Sequence, residues 1–311
     1  MTRPLLPSLL TLALLPALLG ACSTPQNSLP TSEPDAALDH APELGAHAVF
    51  IDVNDFEALR QRGATVLDAR DPADFERGHV PNAVSAPWQA FVDGEQTGLL
   101  SPTDALQSRL RARGVDNDRP VLVYGAWEAA WGEEGRIFWM LEYLGHPAVH
   151  ILNGGLDAWT AAGGAPTADV AAPAPGGFTA APLPELRATA DQLNAALADH
   201  SLVILDIRED DEFHGATPYG ESRGGHIPGA VHFRWKDVFT LTGALKPQQE
   251  LRLRFEALGI DDGDTVAAYC TGGIRSGFIY AIMRWMGYEH PSNYDGSWWE
   301  WAARADLPVE L

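Results

Sequence analysis

"GATVLDARDPADFERGHVPNAV" (63–84) runs from a β-branched strand into Asp-x-Arg, then an acidic helix start, then Gly-His-Val-Pro. The same order returns in "SLVILDIREDDEF" (201–213) and "RGGHIPGAV" (223–231), where Asp206, Arg208 and His226 answer Asp68, Arg70 and His79. Further on, "RPVLVYGAW" (119–127) is answered by "DTVAAYCTG" (264–272), and "LNGGLDAW" (152–159) by "YDGSWWEW" (294–301). Anchors repeated in the same order at nearly constant offset mean that the chain contains one unit twice. Between the copies, "AAGGAPTADVAAPAPGGFTAAPLPE" (161–185) has no hydrophobic periodicity and reads as a linker. The expected domains are therefore 46–162 and 178–311, joined through 163–177.

Within each copy, short apolar runs alternate with helical patterns. The runs are 65–67, 121–124 and 149–152 in the first copy, and 202–205 and 265–269 in the second. Helical spacing covers 136–145 and 276–288, the latter through Phe278, Ile279, Ile282, Trp285 and Met286. Strands alternating with helices predict an α/β fold, a parallel sheet covered on both faces. Ligands of such sheets sit beyond the carboxyl ends of the strands. Cys270 stands there, one residue past the run 265–269.

Composition narrows the function. Of 311 residues, 46% are hydrophobic and 20% charged, which suits packed cores. The formal net charge is −21, leaving no basic stripe to neutralise phosphates, so nucleic acid is excluded as a partner. Ten histidines are scattered without ligand spacing, and neither a metal nor another cofactor is expected.

The first residues read as a targeting segment. Arg3 precedes "LLPSLLTLALLPALLG" (5–20), and "LLGAC" (18–22) resembles a bacterial lipobox, with cleavage after residue 21 and lipid on Cys22. Residues 22–45, rich in Pro, Ser and Asp, then form a flexible tether. The expected location is the cell envelope, outside the cytoplasm, with a lipid anchor as the only membrane contact. A plain signal peptide or a short anchor is the alternative. With Cys22 lipidated, Cys270 has no disulfide partner and no second thiol for a zinc site.

What could a lone cysteine do at that place? Residues 270–275 bridge a strand to a helix. Gly272 and Gly273 let successive amides turn inward, and these amides with the helix N-terminus form an anion nest. Such a nest lowers a thiol pKa from about 8.5 towards neutrality. Arg275 adds a fixed charge and a planar fork for an oxyanion. The opposing reading is an inert core cysteine beside an ordinary turn. The first copy carries Gly125 at the equivalent place, so the fold itself does not need a thiol there.

On "GHVPNA", "GHIPGA", the Asp-x-Arg strand ends, "CTGGIRS" and "DGSWWEW", the chain from 46 to 311 resembles the two-domain rhodanese-type sulfurtransferases. As in that family, the first copy lacks the cysteine and the second has it. The resemblance implies two tandem rhodanese-like domains and a two-step reaction. The Cys270 thiolate takes the outer sulfur of a small anionic donor, becomes a persulfide, and passes the sulfur to cyanide or a thiol. It further implies a substrate site formed by Thr271, Gly272, Gly273, Ile274, Arg275 and Ser276, with Arg223 in "ESRGGHIPG" as a candidate donor ligand. Thiosulfate is the favoured donor, although Gly272 stands where animal thiosulfate enzymes keep a lysine. A 3-mercaptopyruvate sulfurtransferase and a non-catalytic persulfide carrier are the alternatives. Phosphatases of related fold place five residues between cysteine and arginine, whereas here Thr271, Gly272, Gly273 and Ile274 are four.

Asp206 with Arg208, and His226 in its Gly-His-x-Pro turn, occur in both copies, with and without a thiol. They are therefore expected to be structural, as are Asp68, Arg70 and His79, although Arg208 could still reach substrate. Trp298, Trp299 and Trp301 are expected to pack the domain interface and wall the site.

Overall fold

A computed structural model describes residues 48–94 and 97–311. The leader, Cys22 and the whole tether to residue 45 lie outside the described residues. Among the described residues no helix is long and apolar enough to cross a membrane.

The first half holds strands β1 (Phe50–Ile51), β2 (Thr65–Asp68), β3 (Val84–Ser85), β4 (Val121–Tyr124) and β5 (Val149–Leu152). Its helices are α1 (Val53–Gln61), α2 (Pro72–Arg77), α3 (Thr103–Arg111), α4 (Glu133–Tyr143) and α5 (Gly155–Ala161). The second half repeats them as β6 (Arg187–Ala188), β7 (Val203–Asp206), β8 (Val231–His232), β9 (Thr265–Tyr269) and β10 (His290–Tyr294). Its helices are α6 (Ala190–Ala196), α7 (Asp210–Phe213), α8 (Gln248–Ala257), α9 (Ile274–Met286) and α10 (Ser297–Ala303). Each half is one parallel five-stranded sheet, in the orders β1-β5-β4-β2-β3 and β6-β10-β9-β7-β8. These are two tandem α/β domains with helices on both faces. The central strands β4 and β9 run through buried apolar residues, as a sheet covered on both faces requires.

The inner faces of both sheets share one apolar core, whereas each outer face has its own smaller cluster. Helices α4 and α9 pass through the shared core and are buried almost all round, which explains their unbroken apolar runs 137–141 and 278–283. They approach backbone to backbone at two glycines. A Cβ on Gly277 would lie 2.8 Å from the Arg136 Cα, and one on Gly135 would overlap the Phe278 backbone.

The halves also exchange hairpins. In the first, a bridge between Val92 and Leu100 closes a loop ending in "TGLL" (97–100); in the second, Phe239 and Leu245 close one containing "TGAL" (242–245). The second hairpin covers the first domain's loop after β4, where the Trp127 indole donates to the Gly243 carbonyl at 2.8 Å. The first covers the loop after β9.

The linker is more ordered than its composition suggests. Backbone amides of Gly176, Phe178 and Ala181 donate to carbonyls of Arg111, Val115 and Leu144, so the strand-like segment is tied to the first half. Phe178 is fully buried against that half, and the first strand of the second domain is β6.

Candidate active site

Strand β9 delivers Cys270 to the middle of the second sheet's carboxyl edge. The segment after β10 fixes it there. The Cys270 amide donates to the Ser297 hydroxyl at 3.1 Å, and the amides of Trp298 and Trp299 donate to the carbonyls of Cys270 and Thr271. This is what the "DGSWWEW" motif does locally. The chain then turns through Gly273, whose φ of +81° opens α9 in the left-handed region that favours glycine.

The turn aims donors at the sulfur. The Gly273 amide lies 3.1 Å from Cys270 Sγ, and the Ser276 hydroxyl 3.6 Å away. Burial pushes the thiol pKa up. The Arg275 charge, the amides of Ser276 and Gly272, and the Ser276 hydroxyl more than offset it, so the thiol lies below its ordinary range. The loop is an anion nest with sulfur at its focus.

Arg275 is not the free fork that the sequence suggests. It is 2% exposed and spends both terminal nitrogens on Glu212, at 2.7 and 2.8 Å. Its Nη2 also donates to the Thr271 hydroxyl, which itself donates to Glu212. The pair with Arg275 holds the Glu212 carboxyl below its usual range in spite of burial. Arg275 therefore ties the loop to α7 and contributes charge rather than an open bidentate contact.

Arg223 is placed elsewhere. Its guanidinium donates to the carbonyls of Trp301, Ala302, Arg304 and Leu307, closing the carboxyl end of α10. With its donors on backbone, it is corrected from a substrate ligand to a cap of that helix.

Asp206 and Arg208 form a bidentate buried pair, with Arg208 also donating to Gly225 O and Tyr269 Oη donating to Asp206. Asp68, Arg70, Gly78 and Tyr124 repeat the arrangement in the first half. His226 stacks on Phe213 at 3.7 Å and His79 on Phe75 at 3.8 Å, each donating through Nδ1 to that partner's carbonyl. Neither histidine lines the cleft described next.

A cleft of about 150 Å³ opens over Cys270. Thr271, Gly272, Ile274 and Arg275 form its floor, and Trp88, Trp131, Tyr219 and Trp299 its walls. Trp88 and Trp131 come from the half without a thiol, so both domains build the site. Of the three late tryptophans, only Trp299 walls the cleft; Trp298, over Arg208 at 4.6 Å, and Trp301 point from α10 into the second sheet's outer-face cluster, not into the domain interface as expected. Sequence reasoning missed Trp88, Trp131, Glu212 and Tyr219. Only the acidic start of α7 hinted at a partner for Arg275.

Fold and loop together define a duplicated α/β protein built around one low-pKa thiol in an amide nest. The rhodanese-like domain family matches residues 52–162 and again 189–304. The chain belongs to the rhodanese family and is a rhodanese-type sulfurtransferase. It is 33% identical to a thiosulfate sulfurtransferase of Azotobacter vinelandii over 79% of this chain and 90% of that one. Against a thiosulfate sulfurtransferase of Pseudomonas aeruginosa the identity is 31%, over 88% and 95%. A sulfur carrier protein of Thermus thermophilus is 31% identical over 76% and 86%. Among solved structures, the anaerobic ergothioneine biosynthesis enzyme from Chlorobium limicola superposes with a TM-score of 0.76 at 20% identity, over 85% of this chain and 70% of that one, a likeness of fold.

Proposed function

We propose that this sulfurtransferase takes the outer sulfur of thiosulfate onto Cys270 and passes it to cyanide or a thiol. In the first half-reaction the thiolate attacks the sulfane sulfur, the S–S bond breaks, and its electron pair leaves with sulfite. Cys270 then carries a persulfide anion. In the second, cyanide or a thiolate attacks the outer sulfur and leaves as thiocyanate or a persulfide, restoring the Cys270 thiolate. The kinetics are ping-pong. One observation carries the reading, namely the Sγ atom facing the Gly273 amide and the Ser276 hydroxyl with its pKa lowered. The loop amides serve thiolate and persulfide alike, and preorganised donors of this kind are worth about 3–4 kcal/mol each. The thiosulfate names of the relatives support the donor.

Steady turnover of thiosulfate with cyanide, measured beside 3-mercaptopyruvate, tests this. A single loading without turnover would instead favour a carrier role, the reading suggested by the Thermus relative's name. The same proposal places the enzyme at the cell envelope through lipid on Cys22. Labelling with a fatty-acid probe should be lost on Cys22→Ser.

A further inference from the structure

Charges around the Cys270 loop come in pairs, with one left over. Arg275 on α9 is matched by Glu212 on α7. Arg187 on β6 is matched by Asp295 after β10, at 2.9 Å. Arg136 on α4, in the half without a cysteine, is 1% exposed and among the described residues forms no ion pair with a carboxylate. An arginine so deeply buried ordinarily faces a carboxylate, because an uncompensated charge in the interior is strongly disfavoured.

Its nitrogens end on backbone instead. Nη1 donates to the Gly273 carbonyl at 3.2 Å and Nη2 to the Gly98 carbonyl, while the guanidinium lies 4.7 Å over the Trp139 ring. Gly273 is the residue whose amide faces Cys270 Sγ, and Asn293 Nδ2 donates to the same carbonyl at 3.1 Å. No slack remains around this contact. A Cβ on Gly273 would overlap Arg136, and one on Gly98 would overlap the Gly272 carbonyl. Burial pulls the Arg136 pKa down to about 10, opposed by Asp295 and by the Cys270 sulfur, so the side chain is charged at neutral pH.

We infer that Arg136 is a positioning residue for the sulfur on Cys270, fixing the Gly273 peptide that faces it and supplying a positive charge that no direct ion pair ties up. The inference rests on the proposed reading of Cys270 as the nucleophile. It assigns the first domain a chemical part: its arginine and its "TGLL" hairpin clamp the loop of the second.

The test is the pH dependence of iodoacetamide alkylation at Cys270 in the full chain, compared among wild type, Arg136→Met, Arg136→Gln and Arg136→Lys. Removing the charge should raise the alkylation midpoint by about one pH unit and lower kcat/KM at neutral pH about tenfold. Arg136→Lys, which retains charge, should recover most of the midpoint. Should the methionine variant fail to fold, the glutamine variant, neutral but polar, carries the same comparison. A midpoint unchanged in a folded neutral variant would overturn the inference, as would a lysine variant shifted as far as the neutral one. An active Cys270→Ser enzyme would instead sink the reading of the nucleophile, so the two failures are separable.

Discussion

The two halves have the same strands in the same order, yet finish their central strand differently. In the first, Gly125 follows β4, and the chain takes a longer route to Gly132, whose φ of +73° opens α4. In the second, Cys270 follows β9 and the turn reaches Gly273 with only Thr271 and Gly272 between. Where the second half buries the Arg275–Glu212 pair, the first buries Glu134, whose two oxygens have no hydrogen-bond partner among the described residues. A side chain on Gly125 would overlap that carboxyl. Burial, with a smaller push from Glu133, raises the Glu134 pKa to about 8. The comparison teaches that the fold tolerates either loop, and that a nucleophile needs the short turn and the charges around it.

Cys270→Ser breaks the comparison most severely, since it gives both halves an inert loop. It should lower turnover at least about 1,000-fold, read as thiocyanate formed from thiosulfate and cyanide, with the thermal midpoint little changed. Gly98→Ala should come next. With φ of +61° and the Gly272 carbonyl in its way, a methyl there displaces the catalytic turn, and a misplacement on the order of 1 Å costs roughly 100-fold in rate. Gly243, at φ of +78° in the matching hairpin, lies over the inert loop. Gly243→Ala should therefore cost about 1 kcal/mol of stability and leave kcat/KM unchanged. Equal losses of activity in the two alanine variants would contradict the asymmetry.

Glu212→Gln should act mainly on stability. It strips the partner from a buried guanidinium, a change that costs about 3–5 kcal/mol, measurable by urea unfolding. With the Arg275 charge then uncancelled, the Cys270 alkylation midpoint should fall rather than rise.

The smallest effect on activity belongs to Glu134→Gln, which should leave turnover as it is. Its signature is in pH. A carboxyl whose folded pKa is raised to about 8 stays protonated in the fold while the unfolded chain releases its proton near the ordinary value. The wild type should therefore lose stability as pH rises from about 4.3 towards 8. The glutamine variant lacks that loss, so its advantage in thermal midpoint should widen across this window and level off above it. A constant difference between pH 5 and 8 would show that Glu134 does not titrate in this way.

Much of this was legible in sequence. Duplicated motifs yielded both sheets, and the apolar runs placed β2, β4, β5, β7 and β9. Strand β10 was missed because "HPSNY" looks polar and contains Pro291, and only its alignment with "VHIL" in the first copy could have exposed it. At the site, the Cys270 loop was readable because its chemistry is contiguous. Trp88, Trp131, Gly98 and Arg136 were not, because they reach the loop across a packed interface that no local pattern encodes. Arg223 misled for the same reason. A guanidinium beside a glycine turn looks available until the end of α10 folds over it.

The claim on which all else depends is that Cys270 itself carries the transferred sulfur. Intact-mass and peptide analysis after stoichiometric thiosulfate tests it most directly. The account predicts a gain of one sulfur atom on the Cys270 peptide, with an equivalent of sulfite released, and loss of that gain as thiocyanate when cyanide is added. Turnover without any mass gain on that peptide, or an equal gain in Cys270→Ser, would contradict it.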